Sequence, residues 1–367
     1  MVKTTMQGIK GDQKKNKVEI LMDTSSTGRV RPWREYKLGA ELLAMAYDGI
    51  NPKKAGRLRD CADWLGFRID EEGRKKLVEA NFCHVRLCPM CQWRRALKSY
   101  RYTRMIVSSM ITHYRETEGI NLRWLMVTLT VKNCTGAQLN STLDQMQEGW
   151  KRLRDIKIME PVIGWYRALE VVHDCNEFIT EGMYTNPKRN AYYTKHGLKI
   201  GDRNPNFDMY HPHFHVLIAV SEKYARVSYE KIREKWRDAW QSAARLNYVP
   251  QVDVRRSYRR GQESNADDVS AMVAEAAKYT CKPGDYLKPD DWDLTVDTVE
   301  LLDKALDGRK FAAYGKACRD WKKKLNLDDV DSDSADLVGA DEDGDGKLEP
   351  TIIYAWATGY KQYIAER

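Results

Sequence analysis

The hydrophobic positions follow two periods, and where the period changes the chain can be divided. The stretch RWLMVTLTV (123–131) is rich in β-forming residues and alternates in part, which predicts a strand. YRALEVV (166–172) and HFHVLIAV (213–220) predict two more. Between and after them, LNSTLDQMQEGWKRLRDI (139–156) and SYEKIREKWRDAWQSAAR (228–245) repeat apolar residues at helical spacing, which predicts amphipathic helices. Upstream, GAELLAMAYDG (39–49) and the basic segment WRRALKSYRYTRMIVSSMITHYRE (93–116) also read as helical. DDVSAMVAEAAKYTCKPGDYL (267–287) predicts a helix that Asp267 or Asp268 can cap and that Pro283-Gly284 stops.

These patterns give four regions. Residues 1–55 are polar and basic, and 56–118 hold a cysteine cluster and the basic helix. Residues 119–290 alternate strand and helix, and 291–367 end in a tail that is acidic over 325–349. No internal repeat is present. Within the tail, Asp341, Asp343, Asp345 and Gly346 imitate the start of a calcium loop, but the twelfth position is Ile352 rather than a bidentate Glu. A solvated acidic linker is the expectation there.

Composition adds a partner class. The 367 residues suffice for one large domain or two to three modest ones, and 42% hydrophobic content supports a core. Net charge is +8, and it is clustered in RVRPWREYK (29–37), KRLRD (151–155) and VRRSYRR (254–260). Arg and Lys interleaved with Trp and Tyr suit phosphate contact and base stacking. Arg94, Arg95, Arg255 and Arg256 are the expected nucleic-acid contacts. The N-terminus has no apolar signal region, and no run approaches the ~18 apolar residues of a spanning helix. A cytoplasmic chain with no membrane partner is expected, and its eight cysteines then argue against a disulfide framework.

Four of those cysteines group together. FCHVRLCPMCQWRR carries Cys83, Cys88 and Cys91, and Cys61 precedes it. The C-x2-C spacing of Cys88 and Cys91 lets two thiolates face one tetrahedral ion. Cys61 completes a four-cysteine zinc site, with His84 as a substitute ligand. Four protein ligands leave no open position, so the role is structural. Buried free thiols are the alternative. Cys134, Cys175, Cys281 and Cys318 are scattered and receive no role.

The chain has seven histidines, and three fall within YHPHFHVLIAV (210–220). In a strand, residues i and i+2 share a face, so His213 and His215 project together. His211 has the same parity, but Pro212 is expected to put it at or before the strand end. Glu170 on a neighbouring antiparallel strand is the candidate third ligand. Two His and one carboxylate leave positions open for substrate. The alternative is a strand with two hydrogen-bonded histidines. On the 267–287 helix, Glu275 and Tyr279 stand at i and i+4 and share a face. Lys282 would extend that stripe, although the following Pro disfavours helical geometry there. Lys278 points about 100° away.

Together these segments resemble the HUH endonucleases. HPHFHVL resembles their His-hydrophobe-His motif, EAAKYTCK their Tyr-x-x-Lys nucleophile motif, and LMVTLTVKN (125–133) their first core strand. ANFCHVRLCPMCQWRR resembles the cysteine segment of rolling-circle plasmid replication initiators. The resemblance implies an α+β fold, in which a central antiparallel sheet carries the two histidines, is flanked by helices and gains a zinc-binding segment. It implies that Tyr279 attacks one strand of single-stranded or hairpin origin DNA and becomes joined to the 5′ phosphate. The freed 3′ end would prime a host polymerase, aided by a host helicase. Mn²⁺ or Mg²⁺ would sit at His213, His215 and Glu170, Lys282 would neutralise phosphate charge, and Glu275 would serve as base for a terminating hydrolysis. Origin specificity would draw on the N-terminal and cysteine regions. A single-tyrosine transposase or relaxase, and a non-enzymatic zinc-containing DNA-binding regulator, remain alternatives. Oligomeric state is not legible.

Overall fold

The computed structural model describes residues 18–25, 28–257, 266–278, 280–332, 334–340 and 350–366. Tyr279 and the calcium-loop-like 341–349 lie outside the described residues.

Two antiparallel sheets carry the fold. The smaller has the order β2-β1-β8-β9, built from β1 (Trp64–Ile69), β2 (Lys75–Ala80), β8 (Ile352–Ala357) and β9 (Gln362–Ala365). The larger has the order β6-β3-β5-β4-β7, built from β3 (Leu122–Thr130), β4 (Val162–Asp174), β5 (Met209–Ser221), β6 (Val252–Arg256) and β7 (Ala312–Lys316). The helices are α1 (Trp33–Ile50), α2 (Pro52–Arg59), α3 (Pro89–Glu118), α4 (Gly136–Leu153), the short α5 (Glu181–Tyr184), α6 (Pro187–Lys195), the short α7 (Glu222–Ala225), α8 (Tyr229–Ala243), α9 (Ala266–Ala276), α10 (Trp292–Leu306) and α11 (Ala317–Lys324).

The parity of β5 sorts the two faces of the larger sheet. Phe214, Val216, Ile218 and Val220 point to one face and pack with Leu139, Leu143, Met146 and Trp150 of α4 and with Trp236 and Trp240 of α8. Gly149 permits the α4–α8 approach, because a Cβ there would lie 2.8 Å from Cα of Ala244. On the other face, Leu217 and Ala219 join Ile106, Val107 and Met110 of α3 and Val269, Val273 and Ala276 of α9. His211, His213 and His215 continue this second face, so the histidines and α9 share one side of the sheet.

Several expectations need correction. β5 begins at Met209, so His211 lies inside the strand, paired with Val172. Pro212 is tolerated for a local reason. Cys134 and Tyr210 exchange both backbone hydrogen bonds (2.9 and 2.8 Å), which directs Tyr210, and by alternation Pro212, toward the β3 side. There the β3 ladder has already stopped, at Thr130–His213. Pro212 therefore falls in a gap of the ladder, between the Thr130–His213 pair and the Cys134–Tyr210 bridge.

Strands also cross the divisions drawn from composition. β7 of the C-terminal region completes the larger sheet, and β8 pairs with the cysteine region's β1 and carries β9 on its other edge. The acidic tail is not a free linker over its described part. Leu337 and Ala340 are buried, and Asp328 and the Asp336 carbonyl accept from Lys98. Finally, α9 stops at Ala276. That is ahead of the expected stop at Pro283-Gly284, and the expected i, i+4 relation of Glu275 to Tyr279 falls outside the described residues.

Candidate metal centres

β4 and β5 bring the first centre together by register. Glu170 is the direct partner of His213, and Ala168 that of His215. Glu170 Oε2 lies 3.2 Å from His213 Nε2 and 2.9 Å from His215 Nε2, and the two imidazole nitrogens are 3.1 Å apart. Three donor atoms thus form a nearly equilateral triangle. Adjacent ligands of an octahedral ion bound at about 2.1 Å stand about 3.0 Å apart, so the triangle fits one face of such an ion.

The surroundings aim these atoms inward. His213 Nδ1 faces the His211 carbonyl at 3.2 Å, and His215 Nδ1 faces Thr128 Oγ1 at 3.4 Å. Each Nε2 is left to the centre, the usual outer-shell arrangement of metal-bound histidine. Burial would raise the Glu170 carboxyl, but the two imidazoles and Lys282 hold it far below the ordinary carboxylate range. His211 does not join the triad. Its Nδ1 meets Asn133 Oδ1 at 2.8 Å, and burial beside His213 pushes its pKa down to about 4.

The segment after α9 reaches the same place. The Thr280 carbonyl accepts from the Val171 amide at 2.7 Å, next to Glu170. Lys282 Nζ lies 3.3 Å from Glu170 Oε1. Lys282 is extended (φ −77°, ψ 138°), as a residue before proline should be. Glu275 bonds Lys278. Partial burial raises its carboxyl, and Lys278 then His215 more than reverse that. From His213 and His215 a groove of about 580 Å³ opens across Thr128 and Thr130 to Arg233, Arg237 and Arg255. Arg233 and Arg237 were not singled out in the sequence, where they are two of many charged residues on a predicted amphipathic helix.

The second centre is the cysteine cluster. Sγ of Cys61 lies 3.6 Å from that of Cys88 and 3.7 Å from that of Cys91, and Cys83 lies 3.6 Å from Cys91. Sulfurs around a tetrahedral zinc at about 2.3 Å would stand about 3.8 Å apart, whereas a disulfide needs about 2.05 Å. The set therefore fits a four-thiolate ion. Cys88 caps α3, and Cys91 lies in its first turn, where the helix dipole favours thiolate. The Cys83 and His84 amides donate to Cys61 and Cys91 sulfur at 3.4 and 3.3 Å. His84 thus contributes its backbone, and its side chain is not among the four clustered groups.

A model of the Replication protein family matches residues 74–364, which takes in the whole Glu170–His213–His215 triad and three of the four clustered cysteines, Cys61 lying before it. The chain belongs to this family of rolling-circle plasmid replication proteins. It is 34% identical to a protein named Protein rep of Bacillus amyloliquefaciens, over 95% of this chain and 98% of that one. To Protein rep of Streptococcus pneumoniae it is 30% identical, over 96% and 97%. To Protein rep of Lactiplantibacillus plantarum it is 31% identical, over 94% and 99%. No solved structure matches.

Two expected DNA contacts of this replication protein are corrected by burial. Arg94 is fully buried and donates to the Leu337 and Val338 carbonyls, among the rings of Trp33, Phe82 and Trp93. Arg95 is buried and donates to the His84 carbonyl. Both hold the protein together. Arg255 is exposed beside Asp253, and Arg256 donates to the Val227 carbonyl. Among the described residues no helix is long and apolar enough to cross a membrane.

Proposed function

We propose that this initiator nicks one strand of its plasmid origin through a tyrosine–DNA intermediate, and that the Glu170–His213–His215 triad is the centre of that reaction. The observation that supports it most is the triangle of donor atoms, whose two histidines line a groove edged by arginines. Mn²⁺ or Mg²⁺ bound there would polarise a phosphate oxygen and lower the barrier to in-line attack.

The chain's own residues do the rest. Arg233, Arg237 and Arg255 hold the backbone of a single or extruded origin strand along the groove. Tyr279 Oη attacks the scissile phosphorus. Its bond to phosphorus forms as the bond to the 3′ oxygen breaks, and the phenol proton is lost to solvent while the leaving 3′ oxygen gains one. An ordinary tyrosine has a pKa of about 10, so the reaction depends on this environment. Lys282 offsets charge on the phosphate. The free 3′-OH then primes a host polymerase behind a host helicase. When synthesis ends, Glu275 takes a proton from water, and the hydrolysis releases the strand. The cysteine centre holds zinc and stays out of the chemistry.

The test is a labelled single-stranded origin oligonucleotide incubated with Mn²⁺ and run on a denaturing gel. The wild type should give a covalent adduct, and Tyr279→Phe should bind DNA yet give none. An adduct that survives in Tyr279→Phe would assign the nucleophile to another residue. Tyr286 is poorly suited to replace it, being fully buried with its hydroxyl donated to the Leu87 carbonyl.

A further inference from the structure

We propose that the four-cysteine knuckle positions the loop at residues 280–287 for the reaction, with Tyr286 and Gln92 as the positioning residues. This rests on the nicking reading above, and it gives the cysteine centre a role in catalytic rate rather than in origin reading.

The loop has little structure of its own. α9 ends at Ala276 and α10 begins at Trp292, with one three-residue turn, Pro283–Asp285, between them. Its placement must come from what it touches. On one side it is tied to the metal strand, through the Thr280 carbonyl to the Val171 amide at 2.7 Å and through Lys282 to Glu170 at 3.3 Å. On the other side it is tied to the knuckle. The Tyr286 hydroxyl donates to the carbonyl of Leu87, the residue before Cys88. Gln92, the residue after Cys91, bridges twice. Its Oε1 accepts from the Cys281 amide and its Nε2 donates to the Tyr286 hydroxyl, both at 3.4 Å.

The two zinc-side anchors therefore flank the pair of cysteines with C-x2-C spacing. Tyr286, Gln92, Cys281 and Thr280 are all buried, so these bonds form away from competing water. Without the ion, four buried thiols would have no common partner, and the turn 87–92 would lose what fixes it. The loop would then lose its reference against β4, along with the approach of Lys282 to Glu170.

A purely packing role would make a different prediction, with stability, zinc content and DNA affinity falling together. The decisive variants remove polar atoms and keep volume: Tyr286→Phe and Gln92→Leu, made in the full chain. Zinc content and affinity for the oligonucleotide should stay within about twofold of wild type. Amide hydrogen exchange at Cys281 and Tyr286 should speed up by about tenfold, the worth of one buried hydrogen bond. Single-turnover adduct formation with Mn²⁺ should slow by at least about tenfold. Unchanged exchange, or faster exchange with an unchanged adduct rate, would overturn the proposal. A wild-type chain that forms no adduct would overturn only the nicking reading. Loop exchange in the variants would then decide whether the knuckle holds the loop.

Discussion

Lys282 places Nζ 3.3 Å from Oε1 of Glu170, while Oε2 of the same carboxylate meets both imidazoles. One carboxylate thus joins the metal ligands to a cation of the loop. Lys282→Met should slow adduct formation by roughly 10²-fold, the usual cost of removing one charge-stabilising group. The side chain is half exposed, so stability should change by less than about 1 kcal/mol. A thermal melt and a single-turnover assay on the same sample separate the two effects. Unimpaired nicking would remove Lys282 from the site.

His213 and His215 should behave as a unit. Either residue changed to Ala leaves two donor atoms of the triangle, and Mn²⁺ affinity measured by calorimetry should fall by at least about tenfold. EDTA should stop nicking by the wild type, and added Mn²⁺ or Mg²⁺ should restore it. Zinc should remain bound under the same mild chelation, held by Cys61, Cys83, Cys88 and Cys91. Full Mn²⁺ affinity in His215→Ala would place the catalytic ion elsewhere.

Asp285 gives a pH signature. Burial pushes its carboxyl up to about 6, with Lys282 opposing and Glu170 adding to the rise. A raised folded pKa means the folded state binds the proton more tightly. Stability is then highest below the unfolded value of about 4 and falls as pH rises through about 6. Asp285→Asn removes that charge. Denaturant titrations should find the variant more stable than wild type by about 2 kcal/mol at pH 7.5, and nearly equal at pH 3.5. A variant no more stable at pH 7.5 would show that the charged form is well accommodated.

What the sequence disclosed depended on how local the determinant was. His213 and His215 were legible because strand parity needs only the two residues and their apolar neighbours. Glu170 was legible only as a carboxylate on a neighbouring predicted strand, and the register that makes it the partner of His213 comes from a pairing between distant segments. The four cysteines were legible through spacing. By contrast, β7, β8 and β9 come from the far end of the chain, and nothing local says which strand they join. Arg94 reads as a surface cation on a basic helix. It is buried because Trp33, Phe82 and the 337–338 backbone, all distant in sequence, close around it. α9 ends at Ala276, ahead of the local stop signal at Pro283-Gly284, and the Thr280 carbonyl accepts from the Val171 amide of β4, a contact between segments far apart in sequence.

Glu275 tests the mechanism separately from the family. Its carboxyl is held below the ordinary range by Lys278 despite partial burial, so it is ionised and able to accept a proton at neutral pH. Glu275→Gln should leave the first nick largely intact. Release by water should slow by ~10²–10⁴-fold, the usual worth of a general base, and covalent adduct should accumulate. Equal slowing of both steps would mean that Glu275 only orders Lys278 and the end of α9.

The contrast between Arg94 and Arg255 tests how charge is used. Arg94→Met would strand the buried Leu337 carbonyl, costing about 1–3 kcal/mol, and remove the bond to the partly buried Val338 carbonyl. The melting temperature should drop clearly, while the salt dependence of DNA binding should not change. Arg255 is more than half exposed, and its partner Asp253 also accepts from Tyr229. Arg255→Ala should therefore cost little stability. It should lower the slope of log K against log salt by about 0.7 if the groove holds single-stranded DNA, since one phosphate contact is lost. The two variants carry the same loss of formal charge, so net charge cannot explain a difference between them. If both reduced the slope equally, binding would depend on overall positive charge, and the groove from the triad to Arg255 would have no special claim on the strand.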